Sequence, residues 1–317
     1  MKKIGIVFTS RNNYSLLDHW LNVVDTEDFD VLNIDEDSSE ENKKEGKVVC
    51  EKHGAVYMDR EGRGMSHNIA TACNYYKKQG VDWVLWFSHD SFPATTNFFS
   101  KVNELVSTGN FDDFGVIGFN GHHSSQAIAE CKSGIRSINH VGRTCFWGDG
   151  WYRNKSHYSG SRPNFENYDI NTAFSVESVC WFAAMVNVEM YESNVVPTDD
   201  FHLFVSWDDI AFQFLAKNVY NICVPSLDII HDRGVKTSRG YTLKSPSDNG
   251  KRDFYYGKWG HHERWTSKWG FPYETYKDRN VQKNNLEKYK GTLIWDHYNH
   301  DPKNGPMKVF DILGNVQ

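Results

Sequence analysis

The chain has 317 residues, 39% hydrophobic and 15% aromatic, with a formal charge of -6, which is enough apolar mass to bury one large core and excludes a disordered or fibrous chain. No apolar run approaches the roughly 20 residues that span a bilayer, and Met1-Lys2-Lys3 leads into Ile4 to Phe8, which reads as a first strand and not as a signal peptide. Cys50, Cys73, Cys131, Cys145, Cys180 and Cys223 show no C-x-x-C spacing; this excludes a zinc ribbon or disulfide framework and predicts reduced thiols in a soluble, cytoplasmic protein.

The first 120 residues alternate. Strands are expected at Ile4 to Phe8, Val31 to Ile34, Ala55 to Met58, Trp83 to Phe87 and Phe114 to Phe119. Helices are expected between them: Leu16 to Val24, Asn42 to His53, and Ser66 to Lys78, where Ile69, Ala72, Cys73 and Tyr76 share one face before Gly80. Strand and helix in turn make βαβ units, hence an α/β fold with a mostly parallel, Rossmann-like sheet flanked by helices. Periodicity is lost from 120 to 170, a Gly-, His- and aromatic-rich stretch expected to drape over the acceptor side of a cleft. It resumes with Cys180 to Val188 as a buried strand or helix, Ile210 to Ala216 as a helix and Val219 to Val224 as a strand.

Charge is unevenly spread. Residues 1 to 120 carry 12 Lys+Arg against 19 Asp+Glu, and residues 233 to 292 carry 14 against 6. The basic stretch is interleaved with Phe254, Tyr255, Tyr256, Trp259, Trp265 and Trp269. It suits either a polyanion with stackable bases or a basic surface over a small aromatic core. The organisation read from this is residues 1–238 as one domain in two halves, 1–120 and 121–238, followed by an aromatic and basic extension (239–317) packed on the second half.

Polar residues cluster where strands end, which is where open α/β sheets bind ligands. Thr9, Ser10 and Arg11 follow the first strand, Asp35 and Glu36 the second, and Gly62, Arg63 and Asn68 precede the third helix. Ser88, His89 and Asp90 follow the fourth strand, His231 follows Ile229-Ile230, and Ser206-Trp207-Asp208-Asp209 precedes a helical run. An acidic pair opening a helix would keep its carboxylates ionised and facing a cleft. Each has a plainer role as well: Asp208 and Asp209 as helix caps, Asp90 as a turn residue, His231 as a structural imidazole.

In serial order these residues resemble the GT-A fold nucleotide-sugar glycosyltransferases, in particular glycosyltransferase family 2. Asp35-Glu36-Asp37-Ser38-Ser39 stands where that family has an Asp-Asp-Gly-Ser-like turn, and Ser88-His89-Asp90 where it has a metal-binding Asp-x-Asp. Gly62 and Asn68 match part of a further signature, with Arg60 in place of its first Asn. The resemblance implies a nucleotide-sugar donor such as a UDP-sugar, bound by Thr9, Ser10, Arg11, Asp35, Glu36, Gly62, Arg63, Asn68 and His89. It implies a divalent cation, Mn²⁺ or Mg²⁺, on Asp90 and His231, with Asp209 as general base and Asp208 next in line. Ser88 in place of Asp is the main departure. The implied activity is an inverting hexosyl or pentosyl transfer to an acceptor hydroxyl, the acceptor being a glycan. Alternatives are transfer to hydroxymethylated bases of DNA, as in phage-type hypermodification, and an inactive nucleotide- or glycan-binding module.

Overall fold

The computed structural model describes residues 3–62, 64–123, 172–179, 183–201, 203–231, 261–271, 286–300, 307–311 and 313–317. Arg63, Cys131, Cys145, Cys180 and the segment 132–162 lie outside them, as does most of 233–292.

The alternation of the first half is realised. Strand β1 (Ile4–Ser10) leads through α1 (Tyr14–Val23) to β2 (Asp30–Asp35), α2 (Glu40–Lys52), β3 (Val56–Asp59), α3 (Met65–Lys77) and β4 (Trp83–Phe87). The α2 start is specified locally: Ser39 caps it through its Oγ, with Glu40 and Glu41 in the first turn and Lys52 in the last. α3 is held against the sheet by a close approach. A Cβ at Gly5 would fall 2.3 Å from the Tyr76 ring, so glycine there lets the Tyr76 hydroxyl reach the carbonyls of Ile6 (2.6 Å) and Asp30 (2.7 Å).

Next come β5 (Ser91–Pro93), α4 (Phe98–Thr108), β6 (Phe114–His123), β7 (Ala173–Val176), β8 (Ala183–Asn187) and α5 (Val188–Asn194). α6 (Leu203–Ala216), β9 (Tyr220–His231), α7 (His261–Trp269), α8 (Leu293–Asn299) and β10 (Val309–Phe310) complete the described elements. The strands form one sheet in the order β10-β7-β9-β6-β8-β4-β1-β2-β3, with β5 beside β9. β3, β2, β1 and β4 run parallel, as do β6 and β9. β8 runs antiparallel between β4 and β6, and β7 and β10 are antiparallel to their partners.

The sheet divides two apolar layers. One packs α1 and α4 around Trp20, Phe87, Phe98 and Phe111; the other packs α3, α5 and α6 around Ile69, Tyr76, Tyr191, Trp207 and Phe214. A third cluster joins Phe201, Val205, Phe212 and Leu215 to Trp265, Trp269, Phe271, Leu286, Leu293 and Ile294. The described parts of 239–317 are thus continuous with the domain: β10 pairs with β7 (Val309 with Phe174) and α7 shares a core with α6. Trp265 and Trp269 are core residues, 0% and 5% exposed.

α6 begins at Leu203, so Asp208 and Asp209 lie in its second turn and do not open it. Phe201 and Val205 bury themselves in the third cluster, and that packing extends the helix N-terminally beyond the reach of a local capping argument. Cys50, Cys73 and Cys223 are buried free thiols; burial pushes the Cys50 thiol up to about 12, consistent with inert packing. No helix among the described residues is long and apolar enough to cross a membrane.

Candidate active site

The carboxyl ends of β1, β2 and β4 lie side by side because β1 pairs in parallel with both neighbours. Ser10, 0% exposed, ends β1; its Oγ donates to Asn33 Oδ1 and lies 2.9 Å from His89 Nε2. The His89 ring stacks on Phe8 with centroids 5.6 Å apart and planes 13° from parallel. Burial pushes its pKa down to about 4 against the pull of Asp90, which makes it a neutral imidazole at neutral pH.

At the end of β2, Asp35 is buried and accepts hydrogen bonds from the Tyr14 hydroxyl and from the Ser38 N–H at 2.9 Å. Burial opposes ionisation of Asp35, but the bonds from Ser38 and Tyr14 outweigh it and hold the carboxyl below its ordinary value. Asp37 adopts a left-handed backbone, φ 55°, and its carboxylate pairs with Arg60. Aspartate tolerates that conformation through local hydrogen bonding, so Asp37 makes a turn usually given to glycine. Glu36 accepts from Asn68 Nδ2 at 2.6 Å, and burial raises its pKa against the pull of Asn68, Arg60 and Arg11. Thr9 touches the start of α3, with Oγ1 3.9 Å from Met65 Sδ. Arg11 is exposed beside the φ 53° turn at Asn12. Gly62, φ 79°, lets the chain pass the His67 ring.

Beyond β4 the chain turns directly into β5. Ser88 Oγ donates to Asp90 Oδ1 at 2.5 Å and is 2.7 Å from Ser91 Oγ. Ser91 pairs in register with His231 across β5 and β9, and His231 also pairs with His123 of β6. Asp90, the turn residue just before β5, therefore precedes the strand position that pairs with His231, 141 positions further along the sequence. The side chain of His231 is outside the described residues, and among those described no group of three or more His, Cys, Asp or Glu side chains forms a metal cage.

The acidic pair lies on α6, whose Ser206 Oγ accepts from the Ser66 N–H at 2.9 Å and whose Trp207 packs on Trp86 of β4 with centroids 4.9 Å apart. Asp208 is 0% exposed and accepts from Ser178 Oγ at 2.7 Å. Asp209, also 0% exposed, accepts from Gln213 Nε2 (2.9 Å), Lys268 Nζ (2.8 Å) and Trp269 Nε1 (2.8 Å). The structure thus links Thr9 to α3, Ser10 to His89, Glu36 to Asn68, and Asp90 to the strand bearing His231. Asn33, Tyr14, Lys268 and Trp269 enter as partners that no motif announced. Asn33 had the one legible signal, a polar residue in an otherwise apolar strand.

No family model and no curated protein matches this sequence. A crystal structure of GalNAc-T7 with UDP, GalNAc and Mn²⁺ is similar at 11% identity with a TM-score of 0.54, covering 93% of this chain and 56% of that one. A mannosyltransferase from Pyrobaculum calidifontis in complex with GDP-Man and Mn²⁺ is 14% identical, with a TM-score of 0.46, over 75% of this chain and 58% of that one. The chain spans little over half the length of GalNAc-T7. Together with the strand order above, the likeness to GalNAc-T7 shows that this chain has the GT-A fold.

Proposed function

We propose that the protein is a glycosyltransferase that moves a sugar from a nucleoside diphosphate sugar to an acceptor hydroxyl, with a divalent cation and inversion at the anomeric carbon. The observation that supports this is the register of Ser91 with His231, which brings the turn holding Asp90 to the strand that ends in His231, while Ser10 and Asp35 end neighbouring parallel strands. A carboxylate from Asp90 and an imidazole from His231 would be a donor set that suits Mn²⁺ better than Mg²⁺. Such a cation, when bound, neutralises charge that develops on the leaving diphosphate. Ser88 keeps Asp90 oriented through the 2.5 Å hydrogen bond.

The remaining roles follow from chemistry. Glu36, steadied by Asn68, accepts hydrogen bonds from the nucleoside, and Asp35 shapes the turn that presents it. Thr9, Ser10, Arg11, Gly62 and His89 are assigned to the donor, as is Arg63, whose guanidinium chemistry is suited to a diphosphate. The acceptor hydroxyl must lose its proton as it attacks, and the carboxylate that takes it comes from the Asp208–Asp209 pair. The acceptor is a glycan, and its recognition is assigned to residues 121–238 and the extension from 239.

The test is hydrolysis and transfer with a panel of UDP-, GDP-, ADP- and dTDP-sugars, with Mn²⁺, with Mg²⁺ and with a chelator. Turnover of one donor, lost with the chelator, is expected. Absence of both turnover and nucleoside diphosphate binding across the panel would overturn the proposal and leave no support for a donor-binding module either. Transfer to hydroxymethylated duplex, with binding that weakens steeply as salt rises, would replace the glycan by DNA.

A further inference from the structure

One carboxylate joins α6 to the segment 261–271. Asp209 has no exposed surface, and two of its three donors, Lys268 and Trp269, stand 59 and 60 residues further along the chain. Its third, Gln213, also bridges to the loop before α6, taking the Val196 N–H on Oε1 at 2.8 Å and giving Nε2 to the Val196 carbonyl at 3.2 Å. Arg264 Nη1 ties the same loop to α7 through the Asp200 carbonyl at 3.1 Å. Around this lattice lie Phe212 against Trp265 and Trp269, with ring centroids 5.3 and 5.5 Å apart, and Lys268 Nζ 5.8 Å from the Phe201 ring.

A general base needs an oxygen that the acceptor hydroxyl can approach. The oxygens of Asp209 instead face an ammonium, an indole N–H and an amide inside an aromatic cluster. Burial pushes this carboxyl up and Lys268 pulls it back, so losing the lysine leaves a buried charge without its counterion.

We propose that Asp209 is a positioning residue: it fastens residues 261–271 to α6 and so fixes α6 for transfer, without itself accepting the proton. The kinetic half of this proposal rests on the glycosyltransferase reading. The structural half does not.

Wild type, Asp209→Asn, Lys268→Met and the double variant form a thermodynamic cycle, with Trp269→Phe as a milder fifth protein that keeps the ring and removes the N–H. Asp209→Asn and Lys268→Met are expected to lower kcat by a similar factor, on the order of tenfold, because both let α6 shift. The double variant should match either single one. Donor KM and the acid limb of the kcat profile should stay where they are in the wild type. Loss of about 10²-fold or more in Asp209→Asn alone, with its acid limb abolished and Lys268→Met near wild type, would make Asp209 the base and overturn the proposal. Unchanged kcat per folded molecule in every variant would reduce the contact to mere stability and overturn it as well. Should wild type turn over no donor, the glycosyltransferase reading fails separately; the same proteins then report through their denaturant midpoints, where additive losses for Asp209→Asn and Lys268→Met would refute the fastening. Trp269→Phe supplies that comparison if the charged variants do not fold.

Discussion

At the rim made by the ends of β1, β2 and β4, polar side chains meet between neighbouring strand ends and the first turn of α3: Ser10 with Asn33 and His89, Glu36 with Asn68. At the face where α6 meets residues 261–271 and 286–294, polar groups are instead sealed within aromatic packing, as Asp209 is by Lys268 and Trp269. The rim follows from sheet topology, and its residues are each close in sequence to a strand end. The α6 face follows from contacts between segments far apart in the chain. A lesion at the rim should therefore cost chemistry without stability, and a lesion at the α6 face should cost stability, with chemistry following where α6 shifts.

The largest effect that sharpens this contrast is expected at Trp265, which is fully buried against Phe201, Phe212, Trp269 and Phe271. Trp265→Ala should lower unfolding free energy by about 3–5 kcal/mol, read by denaturant titration. A loss of under about 1 kcal/mol would mean that the cluster does not hold the extension to the domain.

Next is Asp90→Asn, which keeps shape and removes charge. Donor turnover should fall by about 10²-fold or more, with Mn²⁺ affinity reduced and the unfolding midpoint unchanged. If stability dropped and turnover per folded molecule held, Asp90 would be only a turn residue and the rim would behave like the α6 face.

His297 gives a pH test of the α6 face. It is 3% exposed on α8, and its pKa is pushed down to about 3 by burial, with His300 adding to the effect, although Glu177 lies 4.0 Å away. The neutral ring is the folded form, while the unfolded chain takes up a proton below 6.5. Stability is therefore full above that value and is lost as pH falls toward the folded pKa, at about 1.4 kcal/mol per pH unit from this group. Unfolding measured at about pH 7.5 and about pH 5.5 should show the slope, and His297→Leu should flatten it. An unchanged slope in the variant would assign the pH dependence to other groups.

The smallest effect is at the surface of the donor half, where Asp18 pairs with Lys52 (2.6 Å) and His53 (2.7 Å). Asp18→Asn should cost about 0.2–1 kcal/mol and less in high salt. A larger, salt-independent loss would show that α1 and α2 are joined by more than apolar packing.

The candidate site was legible in part. Asp90 and His231 each stand at the end of an apolar run, and Asp35 and Glu36 end another, so their positions on a rim were readable from pattern alone. That the turn holding Asp90 meets the strand ending in His231 depends on β5 pairing with β9, and β5 is a three-residue strand with no periodic signal of its own. The acidic pair misled for a related reason. Asp208-Asp209 before an apolar run looks like a helix start, yet Phe201 and Val205 find partners in the third cluster and carry the helix further back.

Alternating apolar runs and helical periodicity by themselves determined the α/β class and the order of the first four strands, because burial on both faces of a parallel sheet leaves its mark on each strand separately. Only the tertiary structure decided that the C-terminal segments join the same sheet and core, and that Asp209 faces them. Those outcomes depend on pairings such as Val309 with Phe174 and Asp209 with Trp269, which join segments about 60 to 135 positions apart. No local pattern encodes such distances, since loop-closure cost grows only slowly with chain separation and leaves many partners open until packing selects one.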